Sequence, residues 1–195
     1  MQIKEAVKTR RSVRKYTDRP VEDRILEEIM EAGTYAPSGG NNQSTHFLVI
    51  EDPAVIARLR KVATEQFAQM QLKEGMYKSL AATIRQSKEK GELYDFTYGA
   101  PVFVLLANKR GYGNAMADCA LALENMFLQA TELGIGSCYI NQIHWLTENE
   151  AVLDVLYEIG LEKDELICAG AVFGYSAMGE RAPLERFGNR ITYIK

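Results

Sequence analysis

Five of the eight residues from Lys8 to Lys15 (KTRRSVRK) are cationic, in a chain whose formal net charge is −3. Three readings compete for this cluster. Cations at the end of a helix starting near Ile3 would interact with its macrodipole, each contributing about 0.3–1 kcal/mol, which accounts for one or two of the five. A nucleic-acid surface needs a basic face and a high pI, and the sequence pI of about 5.6 opposes it. A small anion, most simply a phosphate, suits planar guanidinium forks. In an extended segment Ser12 and Arg14 lie on one side, and Arg10 joins them from the helix end. One phosphate would then receive two guanidiniums and a hydroxyl, with Arg11 and Lys15 turned the other way.

Two further stretches could meet the rest of such a ligand. Pro37-Ser-Gly-Gly-Asn-Asn-Gln43 is a small-residue loop, in which glycine allows close backbone approach and the amides offer paired donors and acceptors to a planar heterocycle. Alone, it reads equally as a flexible turn. Leu133-Gly-Ile-Gly-Ser-Cys-Tyr-Ile140 ends a helix and enters a short strand, which either walls a flat ligand or packs in the core. Other chemistry is scarce. The chain has no GxSxG, no paired-carboxylate signature, and two histidines, His46 and His144, without ligand-like spacing, so no metal site is expected. Cys119, Cys138 and Cys168 have no CxxC spacing and read as buried reduced thiols of a cytoplasmic protein.

The elements that must hold these residues follow from periodicity. At 195 residues, 47% apolar and 25% charged, the chain fits one globular domain, residues 1–195. The uncharged runs Tyr98–Ala107 and Leu166–Tyr175 fall far short of the roughly 20 residues of a membrane helix. The N-terminus lacks the apolar core of a secretory signal. A short helix from Ile3, a second carrying Ile25, Leu26, Ile29 and Met30, and a third opened by Pro53 are predicted. Strands are predicted at His46–Ile50, Val102–Ala107, Ser137–Ile140 and Leu166–Tyr175. Residues 68–97 read as helical with a break at Gly91. Thr147 and Glu150 form a capping-box pattern for a helix over 147–159. The result is an α+β fold with a mixed sheet. The 114–133 helix is too apolar for a peripheral position, and the last dozen residues alternate polar and apolar as if pairing with a sheet. Both features suit a homodimer, against the plainer reading of a monomer with a central helix and a C-terminal edge strand.

Together the pieces resemble the FMN-dependent nitroreductase family. The matching motifs are Arg10-Arg-Ser-Val-Arg14, Ala36-Pro-Ser-Gly-Gly-Asn-Asn-Gln43, Ala117-Asp-Cys-Ala-Leu-Ala-Leu-Glu-Asn125 with Leu133-Gly-Ile-Gly-Ser-Cys138, and Gly174-Tyr175 with Arg186. The resemblance implies a three-layer αβα sandwich in an intertwined homodimer with FMN in the interface. It implies ping-pong transfer from NADH or NADPH through FMN to a small electron-poor acceptor such as a nitroaromatic or quinone. It places Arg10, Ser12 and Arg14, with Arg11, on the FMN phosphate and ribityl chain, and adds Arg186 from a C-terminal arm, residues 182–195. Pro37, Ser38, Gly39 and Asn41 would come from the partner subunit. Tyr139, Ile140, Asn141 and Gln142 would lie along the isoalloxazine, with a backbone amide near N5, and the flavin rather than a side chain would carry the chemistry.

The chain also departs from the family pattern. Ser44-Thr45 replaces a common Pro-Trp, and Asn141 stands where Gly is common, so acceptor preference is open. The donor to flavin N1 is open among Gln66, Gln69, Gln71 and Lys73. Residues 68–98 would form a variable lid, with Tyr77, Tyr94, Phe96 and Tyr98 as cavity-lining candidates. A flavin-fragmenting or reductive dehalogenase-type member, with Glu74, Lys78 and Lys88 closing on a zwitterion, is one alternative. A non-catalytic flavin-binding dimer is another.

Overall fold

The computed structural model describes residues 2–179 and 182–195. Among them six helices and four strands run in the order α1 (Ile3–Thr9), α2 (Asp23–Thr34), β1 (His46–Ile50), α3 (Pro53–Gln69), α4 (Lys78–Lys90), β2 (Val102–Lys109), α5 (Ala115–Glu132), β3 (Gly136–Tyr139), α6 (Glu150–Glu158) and β4 (Glu165–Gly174). The sheet order is β1-β2-β4-β3, and each neighbouring pair is antiparallel. The expected mixed character is confined to one parallel bridge, Ser12 to Ser137, which lays the segment after α1 along β3.

Strand period divides the core into two layers. Phe103, Leu105 and Ala107 of β2 face α3, α4 and α6, where they meet Leu59, Phe67, Ile84 and Leu156. Val102, Val104 and Leu106 face α2 and α5, against Ile29, Leu123 and Met126. Fully burying such a side chain contributes about 1.5–3 kcal/mol, so this sandwich is where the stability lies. The register slips between Leu106 and Ala107: Ala107 pairs with Ile167 and Leu106 with Ala169. Cys168 is therefore the extra residue of a bulge, and both Cys168 and Ala169 join the α5 layer.

Two glycines permit the close approaches that shape the site. A Cβ on Gly33 would lie 2.9 Å from Met126 Cγ and from Phe47 Cε1, so its absence lets α2 settle on α5. A Cβ on Gly136 would lie 2.8 Å from Val13 Cγ2, so only glycine lets the arginine segment dock on β3.

Three boundaries differ from expectation. Residues 70–77 leave the helical pattern between α3 and α4, while α4 does end at Gly91, whose φ is 53°. Helix α6 begins at Glu150 rather than Thr147. Asn149 is its N-cap, accepting the Val152 N–H at 3.2 Å, because the Thr147 hydroxyl is engaged with β4 by accepting the Ile167 N–H at 2.8 Å. Among the described residues the C-terminal arm pairs with no strand, and Phe187 and Ile194 are 88% and 95% exposed.

Candidate functional site

The arginine segment is held at the outer side of β3. Val13 N–H donates to Ser137 O at 2.9 Å, and Val13 packs on the core. Alternation then turns Ser12 and Arg14 away from Val13. Burial pushes the Cys138 thiol above its ordinary value, and Arg14, a hydrogen bond from Ser12, and Arg10 oppose that rise. Ser12 thus acts on the Cys138 thiol by a hydrogen bond, and Arg14 and Arg10 act on it through their charge. Arg10 is half-buried, 3.8 Å from Glu124 and 6.0 Å from the Phe127 ring centroid.

Arg11 has a different task. Its guanidinium donates to Lys8 O at 3.0 Å, Arg10 O at 2.6 Å and Ala182 O at 3.4 Å, while Nε is buried without a partner. Arg11 closes the carbonyl end of α1 and anchors the start of the arm, so it is committed away from a phosphate. Arg186 stands exposed on the arm, and among the described residues no hydrogen bond or ion pair joins it to these groups.

The 36–43 loop sits at the start of α5. Gly39 N–H donates to both carboxylate oxygens of Asp118, at 3.1 and 3.3 Å. The Tyr112 hydroxyl lies 2.9 Å from Asp118 Oδ2 and 3.2 Å from Gly39 O. A Cβ on Gly39 would lie 2.1 Å from Asn114 Nδ2 and 2.6 Å from the Tyr112 hydroxyl. Gly39 is therefore required by this clamp, a reason independent of any ligand. Ser38 Oγ accepts the Gln43 N–H at 2.9 Å, and Gly40, Asn41 and Gln43 take left-handed φ values of 60°, 57° and 51°. Pro37, Ser38, Gln43, Thr45, Phe47 and Asp118 wall a cavity of about 270 Å³, and none of the N-terminal arginines lines it.

From Tyr139 to Gln142 the chain passes from an exposed residue to a buried one and then to two half-buried ones. Tyr139 is exposed. Ile140 is buried in the core, and its N–H donates to Gly170 O at 2.8 Å. Asn141 O accepts the Trp145 N–H at 2.9 Å, while the Asn141 N–H has no acceptor among the described residues. The Gln142 side chain turns inward, with Nε2 3.2 Å from Thr83 Oγ1 and 3.3 Å from the Tyr94 hydroxyl. Of the four residues expected along the ring, Tyr139 is exposed and Asn141 is half-buried with its N–H unpaired among the described residues, while the side chains of Ile140 and Gln142 turn inward.

Other expectations resolve as simply. Gln66 Oε1 accepts from Asn149 Nδ2 at 3.0 Å, which fixes the Gln66 side chain beside α6, whereas Gln69, Gln71 and Lys73 are exposed. Phe96 is fully buried core and Tyr77 is exposed. Among the described residues no cluster of His, Cys, Asp or Glu could hold a metal, and no helix is long and apolar enough to cross a membrane. Sequence reading missed Asp118 and Tyr112. The available signal was one acid inside an otherwise apolar helix face.

The model of the nitroreductase family matches residues 7–175. The chain belongs to the nitroreductase family. A nitroreductase with bound FMN from Bacteroides fragilis NCTC 9343 is 32% identical, with a TM-score of 0.84 and full coverage of both chains. The FMN and NADPH-dependent nitroreductase NfnB from Sphigopyxis sp. strain HMH is 25% identical at a TM-score of 0.72, over 96% of each chain. A 4-nitrobenzoate reductase from Pseudomonas putida is 26% identical over 198 residues, spanning 87% of this chain and 83% of that protein. In this nitroreductase-family chain the matched region takes in the arginine segment, the 36–43 loop and β3, and stops before the arm that carries Arg186.

Proposed function

We propose that this nitroreductase-family protein is an FMN-dependent NAD(P)H oxidoreductase that reduces small electron-poor acceptors such as nitroaromatics or quinones. The carrying observation is that Arg10, Ser12 and Arg14 all act on the Cys138 thiol, next in the chain to the exposed Tyr139 and three residues before the uncommitted Asn141 N–H. Two guanidiniums and a hydroxyl suit a phosphate dianion. An amide with no protein acceptor is free to donate to a ligand atom, and a ring heteroatom of an isoalloxazine would suit it. When bound, FMN supplies hydride chemistry, receiving two electrons from a reduced nicotinamide and passing them to the acceptor in ping-pong order. The protein's part is to grip the anion, orient the ring and present a donor where negative charge develops.

A homodimer completes the site in this reading. The outer face of α5 exposes Met116, Ala117, Ala120 and Leu121, and the arm exposes Phe187, Ile191, Tyr193 and Ile194. Apolar surface of this extent marks an interface. The free edge of β1, with Val49, Val55 and Ile159 along its groove, can receive the alternating arm of a second copy. Pro37, Ser38, Gly39 and Asn41 of one copy would then face the arginine site of the other, and Arg186 would arrive with the arm. The three unpaired thiols suit a reducing cytoplasm. Residues 70–77, with Leu72 and Tyr77 exposed, would set acceptor choice as part of the lid.

The test is the visible spectrum of the purified protein, recorded without oxygen before and after adding NADPH and then NADH. A flavin spectrum that bleaches is expected. A folded dimer that neither contains nor takes up FMN would refute the proposal.

A further inference from the structure

We propose that Gln142, Thr83 and Tyr94 form a buried latch that sets the Asn141 amide, so that Gln142 is a positioning residue for the flavin rather than a contact to it. This deepens the FMN reading above and rests on it.

The three side chains close a ring of hydrogen bonds. Gln142 Nε2 lies 3.2 Å from Thr83 Oγ1 and 3.3 Å from the Tyr94 hydroxyl, and those two oxygens are 3.2 Å apart. Each member comes from a different piece of chain: α4, the segment after the Gly91–Leu93 turn, and the turn after β3. Thr83 and Tyr94 are 3% and 8% exposed, and their neighbours Ile84 and Phe96 belong to the apolar core. In such surroundings a closed polar network rigidifies what it joins, because each broken bond strands a buried donor or acceptor.

What it joins is the backbone on both sides of one unpaired donor. On the N-terminal side, Ile140 N–H is fixed on Gly170 O at 2.8 Å. On the C-terminal side, Asn141 O is fixed by Trp145 N–H at 2.9 Å, and the latch holds Gln142. The Asn141 N–H lies between these anchors and is left without an acceptor among the described residues. An amide held in one direction before the ligand arrives stabilises developing charge without reorganising. The latch also ties α4, within the 68–98 segment expected to form the lid, to that same turn.

Tyr94→Phe and Gln142→Met remove the polar groups and keep most of the packing volume. Three quantities are measured: FMN affinity, the midpoint potential of bound FMN, and hydrogen exchange of the Trp145 amide, which donates to Asn141 O, in FMN-free protein. Both variants are expected to bind FMN within about threefold of wild type. The potential should fall by the equivalent of about tenfold weaker stabilisation of the reduced form, about 30 mV for a two-electron couple. Trp145 exchange should accelerate at least about tenfold. Thr83→Ser, which keeps the hydroxyl, should restore wild-type potential and exchange, whereas Thr83→Val should behave like Tyr94→Phe. Faster exchange with an unchanged potential overturns the positioning role. Unchanged exchange overturns the latch itself. If the wild type takes up no FMN, the proposed function fails, and exchange in the FMN-free protein still decides whether the latch exists.

Discussion

Replacing Tyr112 with Phe removes one hydroxyl from a carboxylate that has little else. Asp118 is 4% exposed, and among the described residues no cation pairs with it. Its hydrogen bonds come from Gly39 N–H at 3.1 Å and the Tyr112 hydroxyl at 2.9 Å. A hydrogen bond to a charged group contributes about 1.5–3 kcal/mol. For a chain of this length each kcal/mol shifts Tm by about 2–4 °C. Tyr112→Phe should therefore lower Tm by about 3–12 °C, read by circular dichroism at fixed protein concentration. The same contact explains Gly39. Its added Cβ would meet the Tyr112 hydroxyl at 2.6 Å and Asn114 Nδ2 at 2.1 Å. Asn114 is exposed and can swing into solvent, but Tyr112 cannot move without releasing Asp118. Gly39→Ala should thus cost less in the Tyr112→Phe background than in wild type, with a coupling of about 0.5–3 kcal/mol. Strictly additive costs, or a Tyr112→Phe change below about 0.5 kcal/mol, would show that the clamp does not hold the loop.

Arg10→Ala or Arg14→Ala should weaken FMN binding about 10- to 100-fold while leaving the Tm of FMN-free protein nearly unchanged. Arg11→Ala should do the reverse, because its bonds close α1, and equal FMN losses at all three positions would contradict the assignment. Hydrogen bonds from the Tyr175 hydroxyl and the Arg19 guanidinium hold the Glu22 carboxyl at about 2, below its ordinary 4.5. A lowered carboxyl contributes stability above its unfolded value and loses it as pH falls. Glu22→Gln should therefore flatten the loss of Tm between pH 4.5 and 2, and parallel curves would refute the linkage. Ile191→Asp with Tyr193→Asp should convert dimer to monomer in sedimentation equilibrium, and an intact dimer would show that the arm is not the seal.

Much of the architecture was legible because it depends on short-range pattern. The apolar period of α5, Pro53 at the start of α3, and the β-branched run of β2 each specify an element locally, and the strands fall within a residue or two of their predicted ends. The capping residue of α6 was misread because both Thr147 and Asn149 are good caps. Only β4, distant in sequence, decides between them by engaging the Thr147 hydroxyl. Arg10, Ser12 and Arg14 could be grouped through their period of two. The task of Arg11 was not legible, because its acceptors are the carbonyls of α1 and of Ala182, whose position no local pattern encodes.

The sequence by itself determined that positive charge gathers at the N-terminus of an acidic chain, that a small-residue loop precedes β1, and that α5 is apolar on nearly every face. These follow from residue type and period alone. Tertiary structure decided which of those groups are available. It turned Ile140 and Gln142 inward, left the Asn141 N–H without an acceptor among the described residues, and bound Gly39 to a buried carboxylate 79 residues away. The physical reason is that availability is a property of partners. A donor's chemistry is written in its own residue, but whether it is already hydrogen-bonded depends on groups that only the folded chain brings within about 3 Å.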